Sequence, residues 1–283
     1  MARPLAAGIY PAMSGHNTIC VATALLETGR VPMTEPRTRF KLEAPAGLIE
    51  IDAECRDGRA VSITLRNQPA FCRAADIDVV VDVPHGVGKV AMDIAYGGMW
   101  YAIVDAASVG LKLESAQGRE ICRLGEMIKV AAREQHEVNH PTLAYPGPDI
   151  LVFREPAVRM GCGGLRARNA VVMSNNVLDW DRPETWTGMI DRSPCGTGTC
   201  AVMVALHARG ELGLGQEFHH ESIVGTTFVG VLVEPAVVGE GTAGEVRGAV
   251  PTVKGSAWIT QHATVLCHPT DPFPEGYTVG DIW

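Results

Sequence analysis

Ser14-Gly-His-Asn-Thr-Ile-Cys-Val-Ala-Thr-Ala-Leu25 runs on to Gly29, and Cys195-Gly-Thr-Gly-Thr-Cys-Ala-Val-Met-Val-Ala-Leu206 runs on to Gly210. The two stretches share one offset, along which Gly15 matches Gly196, Thr18 matches Thr199, Val21 matches Val202 and Ala24 matches Ala205. Each is a small polar residue, a glycine, a threonine, then an apolar run that stops at a glycine. That pattern predicts a buried helix with a polar N-terminal mouth and a left-handed glycine stop. A fixed-offset repeat across most of the chain predicts two similar halves, each aiming one helix. The first residue of each copy, Ser14 and Cys195, is therefore where chemistry is expected.

Outward from these helices the pattern turns to strands. Phe40 and Leu42, Ile49 and Ile51, then Val61, Ile63 and Leu65 alternate with polar residues, and Asp57-Gly58 marks a hairpin turn. Residues 77–83 and 89–96 flank a second hairpin, and Gly97-Gly98 breaks the chain before a strand at 100–105. Residues 115–136 carry a helical stripe of Ile121, Leu124, Ile128 and Ala132. Further strands are predicted at 149–153, 165–173, 223–234 and 246–267. Helix followed by strands thus recurs after each copy. The expected fold class is α+β, two pseudo-symmetric halves, each a central helix wrapped by mostly antiparallel strands. The halves are placed at 1–112 and 113–270, with the turn-rich tail 271–283 packing across the first.

Composition narrows the function. The 283 residues suffice for two domains with cores of their own, and the hydrophobic fraction of 46% is that of an ordinary globular protein. A net charge of −8, with no basic patch interleaved with aromatics, reads against a nucleic-acid or anionic-membrane partner. There is no apolar run of membrane-spanning length, and residues 1–10 do not read as a secretory signal. The eight cysteines form no CxxC pair, which points to a reducing cytoplasm. Cys20 and Cys200, inside the apolar helices, are expected in the core.

At the second helix mouth, Gly196-Thr197-Gly198 lets backbone N–H groups approach a ligand closely. A helix N-terminus favours a bound carboxylate and lowers the pKa of a thiol such as Cys195. Two mouths facing one cleft could grip a small carboxylate from both sides, with a thiolate as general base beside its α-carbon. No Rossmann or Walker loop and no pyridoxal-type lysine context is visible, so no cofactor is expected.

Two other constellations compete. His136-Glu137-Val138-Asn139-His140 matches the zinc metalloprotease pattern, which needs both histidines on one continuous helix face. Pro141 closes that helix at the motif, no Gly-x-x-His follows, and a Pro-Gly-Pro loop separates Glu155 as a third ligand, so the pattern reads as a solvated helix end and no metal site is expected. His219-His220 reads as a pair of surface polar residues. Trp180 and Trp186 are expected either to cover the cleft or to pack their own loop.

Asp191-Arg-Ser-Pro-Cys195-Gly-Thr-Gly-Thr199, with Met13-Ser-Gly-His16, Gly97 to Ala106 and Glu221-Ser-Ile-Val-Gly-Thr226, resembles the proline racemase superfamily along essentially the whole chain. The resemblance implies two α/β halves like those of diaminopimelate epimerase, with the site in the cleft between them. It implies racemisation of proline, 2-epimerisation of hydroxyproline or dehydration of trans-3-hydroxy-L-proline, in the cytoplasm and as a homodimer. By the same resemblance Ser14 and Cys195 are the acid/base pair. Gly15, His16, Gly196 and Thr197 match carboxylate-binding positions, and His16 with Asp191 the contacts to the ring nitrogen.

Two departures from the family pattern stand out. The commonest racemase has cysteine at both acid/base positions, where this chain has Ser14 at the first. A hydroxyl is a far weaker acid than a thiol, which raises the dehydratase reading. Dehydratases of the family instead keep cysteine first and threonine second, so epimerisation stays ahead. A non-catalytic relative that binds the same ligand is the third reading. Family members also carry several dozen residues before Met-Ser-Gly-His, where Met1 to Ala12 stand here, so either a truncated product or an unusually reduced first half is expected.

Overall fold

The computed structural model describes residues 13–161, 163–174, 177–274 and 276. Helix α1 (Gly15–Glu27) leads into the meander β1 (Arg37–Ala44), β2 (Gly47–Arg56) and β3 (Arg59–Arg66). Strands β4 (Val79–Val83), β5 (Gly88–Tyr96) and β6 (Trp100–Asp105) follow, then α2 (Gly118–Gln135). Next come β7 (Val138–Asn139), β8 (Pro146–Gly147), β9 (Ile150–Arg154), β10 (Val158–Arg159), β11 (Leu165–Ser174) and β12 (Gly188–Ile190). Helix α3 (Gly196–Ala208) precedes β13 (Glu217–Ser222), β14 (Thr227–Val238) and β15 (Val246–Gly255). The architecture is α+β, and among the described residues most pairings are antiparallel; β6 with β9 and β11 with β13 run parallel.

One continuous strand path, β1-β2-β3-β15-β14-β13-β11-β9-β6-β5-β4, curls around two cores. The period of two along the central strands sorts their side chains between these cores. On β6, Trp100, Ala102 and Val104 face α2, while Tyr101 and Ile103 join the core that holds α3. Likewise β9 sends Leu151 and Phe153 one way, Ile150 and Val152 the other. Strands from both sides of residue 112 share this sheet, since β15 runs beside β3 and β9 beside β6.

The hairpin signals are realised in detail. Asp57 and Gly58 both take positive φ, 54° and 72°, between the paired Arg56 and Arg59. Both repeat helices end at a left-handed glycine, Gly29 at φ 70° and Gly210 at φ 73°.

The helices differ in depth, which corrects the sequence expectation. Every residue of α3 from Gly196 to Leu206 is buried, because β5 and β6 cover one side and β14 and β15 another. Helix α1 lies mainly on β3 and buries only Gly15, Ile19, Ala22, Thr23 and Leu26. Cys200 is thus in the core as expected, but Cys20 is exposed on the far side of α1.

Two predicted strands also change. The stretch 223–234 is interrupted: Gly225, at φ 86°, and Thr226 turn the chain between β13 and β14. The last strand stops at Gly255, whose lack of a Cβ makes room for the Phe228 ring; Ser256 Oγ then donates to Val61 O as the chain leaves the sheet. The tail expected across the first half lies, from 277 onward, outside the described residues.

Candidate active site

The two helix mouths abut. A Cβ added to Gly15 would stand 2.7 Å from Gly196 Cα and 3.3 Å from Thr197 N. One added to Gly196 would meet Gly15 Cα at 2.7 Å and His16 N at 3.3 Å. Only glycine on both sides permits this approach. Ser14 and Cys195, the N-cap residues, flank the contact, and neither uses its side chain to cap its own helix. Their carbonyls start the helices instead, accepting from Thr18 N and Thr199 N.

Helix α3 is seated by Gly97-Gly98. A Cβ on Gly97 would come within 2.2 Å of Thr197 O and 2.5 Å of Ala201 N. Gly98, at φ 108°, packs on the Thr197 methyl, and Asn67 Nδ2 donates to Gly97 O at 2.9 Å.

Cys195 has φ 62° and ψ 118°, a region that a side chain rarely enters and that surroundings must enforce. They do so through a dense network. Asp191 Oδ1 accepts from Ser193 N at 2.8 Å, and Ser193 Oγ accepts from Cys195 N at 3.1 Å. Asn169 Nδ2 donates to Pro194 O at 2.8 Å, and Thr199 Oγ1 donates to Cys195 O at 2.7 Å. Thr226 Oγ1 donates to Arg192 O, so the 221–226 motif braces the same loop.

His220 completes the support from β13. It is fully buried, with Nδ1 3.0 Å from Thr199 Oγ1 and 3.3 Å from Asn169 Nδ2. This corrects the surface reading of His219-His220: they sit in a strand, and alternation sends only His219 outward, where it meets Glu217. Burial, with Arg154 adding to it, pushes the His220 pKa down to about 3. An unfolded histidine titrates near 6.5. Between these values the unfolded chain binds one more proton, so stability is full above pH 6.5 and falls as the pH drops toward 3, by about 1.4 kcal/mol per unit. His220→Gln should therefore show a shallower loss of its urea midpoint from pH 6 to pH 4 than the unaltered protein. Parallel slopes would mean that the histidine charges in the folded state.

The thiol itself is buried, with Tyr101 Oη at 3.2 Å and Thr197 Oγ1 at 3.8 Å. The sequence expectation of a lowered thiol pKa is reversed. Burial and the nearby Asp191 carboxylate push Cys195 up to about 11, outweighing Tyr101 and the Gly198 amide. Asp191 Oδ2 stands 3.2 Å from His16 Nδ1, an ion-pair distance, yet this buried oxygen has no aligned hydrogen-bond donor. Burial acts to raise the Asp191 pKa, but His16 and Ser193 outweigh it and keep the carboxyl below its usual value.

All seven singled-out residues thus fall on the two helix starts and the loop before the second. The competing motif does not assemble: α2 ends at Gln135, Val138 and Asn139 are extended, His136 pairs with Asp76, and His140 Nδ1 accepts from the Thr142 and Leu143 amides. Trp180 and Trp186 pack around His85, with Trp180 Nε1 directed at Glu134. Tyr101 and Asn169 escaped the sequence reading as site residues, and His220 was read as a surface residue. Their signal was a polar group at an inward position of a strand, and only the register reveals which core that position faces.

Fold and site together define a class of α+β proteins in which two glycine-opened helix starts abut beside a buried thiol. The family model for proline racemase matches residues 5–278. A 4-hydroxyproline 2-epimerase of Streptosporangium roseum is 42% identical over 266 residues, 94% of this chain and 73% of the relative. A hydroxyproline epimerase from Agrobacterium vitis, solved with bound trans-4-hydroxy-L-proline, aligns with a TM-score of 0.77 at 34% identity over 96% of this chain and 72% of that one. A probable proline racemase from Agrobacterium radiobacter K84, solved with bound carbonate, aligns at 0.76 with 35% identity, over 96% and 73%. The chain belongs to the proline racemase family.

Proposed function

We propose that this protein is a 4-hydroxyproline 2-epimerase that works without a cofactor. Cys195 and Ser14 serve opposite faces of the substrate α-carbon, one removing the proton and the other returning one. The substrate carboxylate sits at the joined mouths, held by the N–H groups of Gly15, His16, Gly196 and Thr197, where both helix dipoles favour an anion. The ring nitrogen lies between His16 and Asp191. The observation that carries this reading is the contact of Gly15 with Gly196, which gives two acid/base candidates a common anion site. The hydroxyproline epimerases among its relatives supply the substrate class.

Asp191 Oδ2, near His16 Nδ1 but without an aligned hydrogen-bond donor, adds a physical step. Burial raises the thiol pKa most and the Asp191 charge adds to it; a substrate ammonium there offsets the second contribution, so binding eases formation of the thiolate. Chemistry then waits for the substrate.

Ser14 favours a second reading, dehydration of trans-3-hydroxy-L-proline, because a hydroxyl serves its face less well than a thiol. The test is incubation with proline and the 3- and 4-hydroxyprolines in deuterated water, with chiral chromatography and trapping of pyrroline-2-carboxylate. Deuterium at the α-carbon of both 4-hydroxyproline epimers supports the epimerase, and absence of exchange from every substrate would overturn it. Ser14→Cys should raise epimerisation relative to any dehydration by about tenfold or more, the lower end of what a matched acid/base group contributes. An unchanged product ratio would remove the asymmetry argument. Residues 1–112 and 113–270 are read as the duplicated halves, in a cytoplasmic homodimer.

A further inference from the structure

Tyr101 reaches the reacting sulfur from β6, where Ala102, Ile103 and Val104 follow it before Asp105. It is completely buried, and its Oη lies 3.2 Å from Cys195 Sγ and 2.6 Å from Thr197 Oγ1. The proton count of these three groups limits how they can bond. A phenol and a threonine hydroxyl have one proton each, a thiol has one and a thiolate none. When Cys195 is a thiolate its sulfur can only accept, so the phenol donates to it and the Thr197 hydroxyl donates to the phenol oxygen. When Cys195 is a thiol its proton is reserved for the substrate carbon, and neutral sulfur is a weak acceptor. The phenol can then turn to Thr197 Oγ1.

Resting on the acid/base reading of Cys195, we propose that Tyr101 is a further catalytic residue whose hydroxyl follows the protonation state of the thiol, donating to Cys195 Sγ as thiolate and to Thr197 Oγ1 otherwise. Tyr101 keeps its proton throughout. The proton in transit moves between the substrate α-carbon and Sγ, and the C–H pair of electrons stays with the carbon until a proton is returned. Burial, together with Cys195, holds the phenol pKa well above its ordinary value, so it acts as a donor and not as a base. Its place follows from the seating of α3 on Gly97-Gly98, which brings the first helical turn down onto the inward side of β6.

Tyr101→Phe keeps the ring and removes only the hydroxyl. The experiment follows alkylation of Cys195 by iodoacetamide, read on its own peptide by mass spectrometry from pH 7 to pH 10, alongside α-hydrogen exchange. Loss of one hydrogen bond to a charged group corresponds to about one pKa unit. Alkylation at pH 9 should therefore slow by about tenfold and kcat fall comparably, with KM and melting temperature nearly unchanged. Unchanged alkylation and kcat would overturn the proposal, as would a fall in melting temperature with no change in thiol reactivity. The alkylation arm needs no substrate, so it separates the two readings. If the unaltered protein exchanges no α-hydrogen while the variant still alkylates tenfold more slowly, the epimerase reading fails and the tyrosine contact stands.

Discussion

Cys195→Ala is expected to lower α-hydrogen exchange on hydroxyproline in deuterated water by at least about 10³-fold, the range of a positioned general base. The remaining groups cannot stand in for the thiol. Ser14 belongs to the opposite mouth, Asp191 is held below its usual pKa, and the Tyr101 phenol is held above. Cys195→Gly sharpens the test. A side chain at φ 62° and ψ 118° is strained, at a cost of roughly 1–3 kcal/mol, and glycine there is not. The glycine variant should therefore lose exchange to the same extent while its melting temperature holds or rises. A protein that melts higher without its thiol is one whose backbone is bent for chemistry. Residual exchange within tenfold of the unaltered protein in either variant would remove Cys195 from the mechanism.

Gly97→Ala is expected to have a large effect on both stability and activity. Its new Cβ would stand 2.2 Å from Thr197 O and 2.5 Å from Ala201 N, both backbone atoms of the most deeply buried helix. Neither can rotate away, so α3 must lift from β5 and β6, and overpacking of this kind costs about 3 kcal/mol. In a chain of this size that lowers the melting temperature by roughly 10 °C. Lifting α3 also separates its first turn from Tyr101 and Gly15, so exchange should fall by about 10², as for a displacement near 1 Å. Gly161→Ala serves as the control, because its added Cβ meets nothing within 4 Å. Equal melting temperatures for the two variants would mean that Gly97 does not seat the helix.

Much of this was legible in the order of residues. The paired Ser14-Gly15 and Cys195-Gly196 starts, the glycine stops, the Asp57-Gly58 turn and the 118–135 stripe are local signals, and local chemistry enforces them. Where the reading failed, a non-local partner decided. Residues 20 and 201 occupy like positions in like helices, yet Cys20 is exposed and Ala201 buried, since two sheet faces cover α3 and mainly β3 meets α1. The thiol pKa turned upward because burial and Asp191 act on it together more strongly than the helix start does.

The sequence by itself therefore determined the helix pair, the family and the residues at the two mouths. Each of these is carried by neighbours in the chain or by a motif of fixed spacing. Only the tertiary structure decided that Gly15 touches Gly196, and that Tyr101, Asn169 and His220 converge beneath Cys195 from β6, β11 and β13. A strand's period of two says that alternate side chains share a face, but not which core that face will meet. That choice is made by sheet order and by how closely a helix can approach, here set by glycines at 15, 97 and 196.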